Sequence, residues 1–228
     1  MLLLALACAF FLCLNLFVAG ASVKSRIIAR ISAPAYYALF GMASLLGLTW
    51  MLFAFFGAIG DPLNAQLWHA PQWLKYIALV VNFVAIQLIV VGALSPAPVT
   101  LKAHAEQPNK PISGIIRVSR HPVLSGAGLL AIMHMICNGN LASWVFFGTV
   151  LVLCCLGAYN LDLRREDRLG NYYRTILKHT SFVPFAAIIE GRTRFDFMEL
   201  GLLRLLVGTS AFSVLVALHE LLFLRQAI

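Results

Sequence analysis

Charged residues are scarce in this chain. Only 11% of its 228 residues are Asp, Glu, Lys or Arg, whereas 61% are hydrophobic and the mean hydropathy is +0.88. Soluble domains carry roughly 25% charged and about 45–50% apolar residues, so the composition excludes an ordinary soluble domain. Since no long polar stretch could fold separately, we expect one multi-pass membrane domain over residues 1–228.

Several signatures of well-known chemistry are also absent. The sequence contains no glycine-rich phosphate loop, no CxxC spacing and no carboxylate pair inside an apolar run. Four of its five cysteines lie within apolar runs, where cysteine usually packs as a small hydrophobic residue. These absences argue against a P-loop nucleotide site, a structural zinc site and a disulfide framework.

The formal net charge is nevertheless +8, and its distribution indicates the kind of partner. The basic residues are spread through short loops between apolar runs, which is typical of topology determinants beside anionic lipid. We therefore expect the lipid bilayer as the partner and no nucleic acid. An apolar or lipid-like small molecule is a further candidate partner.

Six apolar segments predict an all-α integral membrane bundle of five to six transmembrane helices joined by short loops. The segments are residues 1–19, 35–59, 76–96, 123–138, 141–161 and 201–224. A crossing helix needs about 20 residues, so the fourth segment is short. The apolar patch at 182–189 is shorter still, and we expect it to be an interfacial segment between helices five and six. The first segment lacks a preceding basic region, which favours a retained helix over a signal peptide.

Basic residues also predict the orientation of these helices. The loops after the first, third and fifth segments hold three, four and seven Lys or Arg, whereas the alternate loops hold only Lys75 and none. By the positive-inside rule, both termini lie outside the cytoplasm. In a bacterium this places the protein in the inner membrane with both termini in the periplasm.

The stretch from Ile115 to Gly139 carries two histidines on one predicted helix. His121 and His134 are 13 positions apart. A continuous helix would separate them by roughly 20 Å along the axis and by more than about 200° around it. They therefore cannot bind one metal ion, and they predict two sites at opposite ends of the bundle.

The inner end predicts a polar site. Arg120, His121 and Glu166 are its candidate catalytic residues, because arginines near them could hold an anionic group through paired hydrogen bonds. The alternative is a structural rim of ion pairs, in which Asp162 pairs with one of the arginines.

The outer end predicts a cofactor site. An ionisable group within an apolar span usually faces the bundle interior, and imidazole in an apolar pocket is the usual anchor of haem. His134 is the candidate metal ligand, with His219 or His69 as its partner at similar depth and Cys137 one turn beyond. The alternative is a histidine that only packs between helices.

Several motifs resemble the NnrU family of membrane proteins, whose domain also occurs in plant zeta-carotene isomerase. They include LWHAPQWLK, IIRVSRHP, NGNLAS, DLRREDRLGNYYRTI and TSFVPFAAIIEGR, and the resembling core covers about residues 24–193, leaving 194–228 as a terminal helix. The resemblance implies a link to nitrite and nitric oxide reductase systems in denitrification. From the plant enzyme it also implies haem b, isomerase chemistry on a cis double bond, and shared positions at His121 and His134. A histidine that the plant enzyme has near its first helix has no counterpart here between Met1 and Trp68.

A second resemblance concerns the inner site alone. Arg120-His121-Pro122 opening a helix, followed by Glu166-Asp167 and Tyr172-Tyr173, is similar to isoprenylcysteine-type and phospholipid-type membrane methyltransferases. It implies an S-adenosylmethionine site. Three functions therefore stay open: haem-dependent chemistry in nitrogen-oxide metabolism, membrane methyl transfer, and a non-enzymatic assembly factor.

Overall fold

The fold is all-α, as predicted. The computed structural model describes residues 1–95 and 112–223, and within these ranges it contains helices, turns and one isolated backbone bridge but no β-strand. The helices are α1 (Leu2–Cys13), α2 (Ala21–Ile31), α3 (Ala33–Ile59), α4 (Gln72–Leu94), α5 (Ile115–Val118), α6 (Pro122–Asn138), α7 (Leu141–Leu169), α8 (Asn171–His179), α9 (Ala186–Ile189) and α10 (Leu202–Phe223).

Each of the six predicted apolar segments contains a helix, but they differ in their capacity to cross a membrane. Among the described residues, α3, α4, α7 and the Leu202–His219 part of α10 are long and apolar enough. The first segment counts as a fifth span only if residues 2–18 and 23–31 are one unit, bent by 78°. Helix α6 has 17 residues, about 25 Å at 1.5 Å per residue, which is short for a ~30 Å hydrocarbon core.

Helix α6 lies between α4 and α7 in the middle of the bundle. Its contact with α4 is close, because a Cβ on Gly126 would lie 2.5 Å from the Ala85 carbonyl oxygen. Small residues let membrane helices approach in this way and gain dispersion contacts that bulky side chains would prevent. The short helix is thus supported by protein along much of its length.

Five helices form a row in the order α3, α7, α6, α4 and α10, each packing on the next. Helix α10 is attached to α4 by Gln87, whose Nε2 donates to Thr209 Oγ1 (2.9 Å). Helix α3 packs on α1, α2 and α7. Among the packed pairs of described helices, α3 and α10 are not partners, so these two helices are the ends of the row.

The outer end of the bundle is the end where α6 turns into α7, and the loop of residues 61–71 covers that turn. Gly139 ends α6 in a left-handed conformation (φ 62°), and its carbonyl accepts from Leu67 N at 2.7 Å. Trp68 Nε1 donates to the Ile136 carbonyl (2.7 Å), and Asn64 Oδ1 caps α7 by accepting from Ala142 N (2.8 Å). The free backbone groups at this turn are therefore satisfied by the loop.

The inner end is built by α5 and the segment 180–190. Arg120 N donates to the Ser181 carbonyl and Phe185 N to the Val118 carbonyl, both at 2.9 Å. Phe185 and Ile188 pack on an apolar cluster that includes Ile115. The patch at 182–189, predicted to be interfacial, consists of a turn and one short helix that packs against α5. It is too short to cross a membrane.

Gly139 provides a test of the outer turn. Gly139→Ala should lower the free energy of unfolding by about 2 to 3 kcal/mol, since a left-handed alanine is strained and its Cβ would lie 2.2 Å from the Trp68 carbonyl oxygen. The measurement is reversible unfolding in mixed micelles. Gly60→Ala is the matched control, because Gly60 has negative φ and nothing within 4 Å of the added Cβ. Equal effects of the two substitutions would contradict this role of Gly139.

Candidate functional site

The two ends of α6 carry two polar sites of different character. Pro122 occupies the first turn of α6, which leaves His121 at its amino-terminal boundary on the inner side. His134 lies three turns further along, toward the outer end. Helical geometry predicted that His121 and His134 belong to separate sites. In the structure, each of them contacts a different set of residues.

The inner site is organised by the carboxylate of Asp162, near the end of α7. Its Oδ1 contacts His121 Nε2 and accepts from the Tyr173 hydroxyl, both at 2.5 Å. Its Oδ2 accepts from Arg120 Nε (2.8 Å) and lies 2.7 Å from the second guanidinium nitrogen of Arg120. One carboxylate therefore joins α6, α7 and α8, with two guanidinium nitrogens of Arg120 on one oxygen and an imidazole and a phenol on the other.

These groups are enclosed by the fold. The His121 side chain is 3% exposed, and Tyr173 is completely buried. Burial, together with the hydrogen bond to Asp162, raises the pKa of Tyr173 to about 12, so its hydroxyl remains a donor at physiological pH. The Asp162 oxygens are fully used by donors, and the cluster has the character of a structural lock between helices.

Glu166 is not part of this cluster. It lies one helical turn after Asp162 and pairs with Arg174 at 2.9 Å, in a contact where the arginine side chain is 66% exposed. The sequence pattern predicted a joint site of Arg120, His121 and Glu166, whereas the structure joins the first two to Asp162 and gives Glu166 another partner. Tyr173 was not predicted as a partner of this carboxylate.

The outer site is a cavity of about 780 Å³ on one side of the five-helix row. All five helices of the row contribute to its wall, together with the loop before α4, and aromatic side chains such as Phe55, Phe147 and Phe212 make much of it apolar. Its volume is within the range of about 300–1,000 Å³ that is usual for small-molecule sites. Its polar and sulfur-containing lining residues are Gln66, His69, Lys75, Asn82, Met133, His134, Cys137, Asn138, Asn140, Ser143 and His219.

All three histidines predicted as cofactor ligands line this cavity. His134 and His219 are closest, with ring centroids 6.4 Å apart and ring planes inclined by 32°. His69 contributes from the outer loop and is exposed. Cys137 also lines the wall. The structure thus brings α6, α10 and the loop together at one depth, although 150 residues separate His69 from His219 in the chain.

His134 is oriented by its own helix. Its Nδ1 lies 2.8 Å from the Leu130 carbonyl oxygen, and the ring lies against Phe147 with centroids 4.7 Å apart. Because a carbonyl only accepts, Nδ1 is the protonated nitrogen in this contact, and Nε2 keeps its lone pair. That nitrogen is the one a metal would bind, with the carbonyl in the usual supporting role.

Two cavity residues were missed by sequence reasoning. Asn82 lies in the middle of α4, and its Oδ1 has no hydrogen-bond partner among the described residues. Lys75 lies in the first turn of the same helix and is half-buried. Asn82 could have been predicted as a cavity residue, because a polar residue within an apolar span usually faces the bundle interior. Lys75 had the additional signal of being the one basic residue in the predicted outer loops.

Fold and cavity define a polytopic helical membrane protein with a histidine-lined cavity near one end of the bundle. The chain belongs to the NnrU family, whose description is "NnrU protein", and the match covers residues 3–227. It therefore includes α10 and His219, which lie beyond the resembling core at about 24–193.

The chain is also similar to two curated plant proteins named "15-cis-zeta-carotene isomerase, chloroplastic". It is 36% identical to the Arabidopsis thaliana protein over 80 residues, which is 35% of this chain and 22% of the relative. It is 34% identical to the Zea mays protein over 82 residues, 36% of this chain and 22% of the relative. The aligned part is thus about a fifth of each relative's length. No solved structure matches the chain.

The Asp162 cluster predicts a large stability difference between two carboxylates. Asp162→Asn should lower the free energy of unfolding by about 3 kcal/mol, because it leaves Arg120 and His121 buried without their anion. Glu166→Gln is the matched control and should cost at most about 1 kcal/mol, since its pair is exposed. Both are measured by unfolding in mixed micelles. A loss for Asp162→Asn no larger than that of the control would exclude the structural role.

Proposed function

We propose that this protein binds haem b in the outer cavity through His134 and His219. We further propose that the haem serves redox or cis–trans isomerase-type chemistry on an apolar, lipid-like molecule. The observation that carries the proposal is the approach of the two imidazole rings, 6.4 Å between centroids, at an apolar cavity of about 780 Å³.

The residues present fit this group. His134 and His219 would be the residues that hold the group, since imidazole is a common protein ligand of haem iron and both rings line one largely apolar cavity. Within the described ranges, no group of three or more His, Cys, Asp or Glu is arranged to hold a bare metal ion. A haem group would bring nitrogen ligands of its own and would need only His134 and His219 from the protein.

The plant enzyme has a histidine near its first helix that this chain lacks, and this difference does not affect the fit. None of the described residues that line the cavity comes from α1. In chain order, the first of them is Leu52 of α3. In this chain the second imidazole at the depth of His134 comes from α10. His69 is the alternative partner, from the exposed loop.

The protein's own residues hold and orient His134 and provide an apolar wall for the ligand. His134 is held by the Leu130 carbonyl and Phe147, and aromatic side chains make much of the cavity wall apolar. Haem, when bound, supplies a redox-active iron whose properties depend on its axial ligands. The similarity to plant isomerases supports a substrate with an isomerisable double bond.

Spectroscopy tests the haem proposal directly. Protein expressed with ample haem and purified should show a Soret band, which His134→Ala and His219→Ala should each shift or abolish, since each removes an imidazole that would hold the iron. His69→Ala tests the alternative partner. His179→Ala is the control, because His179 lies in α8 and contacts the Arg192 carbonyl away from the cavity.

A wild-type protein without a Soret band would contradict the haem proposal and leave the methyltransferase and assembly-factor hypotheses. The methyltransferase hypothesis has its own test, because S-adenosylmethionine should raise the thermal stability of a protein that binds it. The separate partners of His121 and Glu166 do not favour that hypothesis.

The link to nitrite and nitric oxide reductase systems rests on the family resemblance. In a denitrifying host, a deletion strain should accumulate nitrite or nitric oxide when grown on nitrate with little oxygen. Complementation by the wild-type gene but not by His134→Ala would join this phenotype to the cavity, and unchanged nitrogen-oxide levels in the deletion strain would contradict the link.

For the cellular location, we propose the bacterial inner membrane with both termini in the periplasm. The distribution of Lys and Arg among the loops supports this orientation by the positive-inside rule. Among the described residues, Arg164 Nη1 donates to the Ala19 carbonyl at 3.1 Å, so the loops after the first and fifth segments meet at one end of the bundle. A periplasm-dependent reporter such as alkaline phosphatase, fused after Ile228, should be active. Activity of a cytoplasm-dependent reporter at that position would contradict the proposed orientation.

A further inference from the structure

Lys75 is a cation without a counter-charge in the outer cavity. It lines the wall, is half-buried, and has no hydrogen bond or ion pair to any of the described residues. A charge that is partly removed from water at the edge of a membrane is costly unless something compensates it. The position of this lysine therefore calls for an anion from outside the chain.

The described surroundings of Lys75 do not provide that anion. None of the described residues lining the cavity is Asp or Glu, and the first turn of α4 contains no acidic residue. Asp61, in the loop before α4, is already paired with the amino group of Met1. Gln66 donates to the carbonyls of Trp68 and Asn138. The positive charge thus faces a cavity whose described wall contains no acidic side chain.

The shape of the site indicates what kind of molecule carries the anion. Helices α3 and α10 both line the cavity, yet they are the ends of the five-helix row and do not pack on one another within the described structure. A cavity bounded in this way is accessible from the lipid phase to an apolar body. Lys75 lies in the first turn of α4, at the end of an apolar helix long enough to cross a membrane, so a ligand entering from lipid would present its polar end there.

We propose that Lys75 is the anion-binding residue of the cavity, and that the ligand is an amphipathic carboxylate. Its apolar body lies among the aromatic side chains, and its carboxylate accepts from the Lys75 ammonium at the outer end. The inference deepens the proposed function by naming the ligand class of the same cavity. A carboxylate of this kind could belong to a haem propionate or to a lipid-like acid, and the test separates the two.

The test compares each acid with its neutral ester. Full-length protein in phosphatidylcholine nanodiscs is titrated with haem and haem dimethyl ester, followed by the Soret band, and with cis-parinaric acid and its methyl ester, followed by fluorescence. Lys75→Met should weaken binding of at least one acid by about tenfold or more, the value of a charge-assisted hydrogen bond, and leave its ester unchanged. Lys75→Arg should restore most of the affinity.

Lys178→Met is the matched control, because Lys178 is an exposed lysine of α8 at the inner end. A response of the haem pair alone identifies the propionate as the anion, and a response of the parinaric pair alone identifies a lipid-like acid. The proposal is overturned if Lys75→Met changes acid and ester by the same factor, or if neither acid binds the wild-type protein. Failure of haem to bind, with a response of the parinaric pair, contradicts the haem proposal and leaves Lys75 as the anion-binding residue.

Discussion

The structure depends on how a helix too short for the bilayer is held at both ends. Helix α6 covers about 25 Å and is followed at once by a turn into α7, so its polar termini cannot all be satisfied by water at the membrane surface. Protein takes the place of water at each end. Asp162 and the 180–190 segment hold the inner end, and the 61–71 loop holds the outer end.

The same two ends divide the polar chemistry of the protein. At the inner end, a carboxylate meets an arginine, an imidazole and a phenol, and these groups satisfy one another. At the outer end, imidazoles, an amide and a lysine line a common space, and among the described residues neither Asn82 Oδ1 nor the Lys75 ammonium has a hydrogen-bond partner. A closed network of opposite charges contributes rigidity, whereas a cavity with an uncompensated cation and available imidazole nitrogen is suited to a ligand.

This arrangement also explains why the motifs of the family resemblance occur together. The LWHAPQWLK loop forms hydrogen bonds with the NGNLAS turn, and IIRVSRHP forms them with TSFVPFAAIIEGR. Each pair of motifs is distant in the chain and adjacent in space, one pair at each end of α6. The motifs thus hold the two ends of α6, and those of the outer pair also line the cavity.

The sequence by itself determined the helices and the division into two sites. Apolar runs of sufficient length can only be helices in a membrane, and helical geometry places His121 and His134 at different depths and on different faces. The alternation of basic loops predicted the direction of the last helix. That direction places His219 at a depth in the membrane similar to that of His134. Asp162 was recognisable as a partner for an arginine because a lone acid at the end of an apolar run needs a cation.

Only the tertiary structure decided which distant side chains share a site. It joined Tyr173 to Asp162, gave Glu166 to Arg174, and turned Lys75 and Asn82 toward the cavity. The physical reason is that helices apolar on all sides carry little information about their rotation in the bundle. Their facing is settled by close packing, as where Gly126 meets the α4 backbone and Gln87 holds α10, and such contacts exist only after the helices assemble.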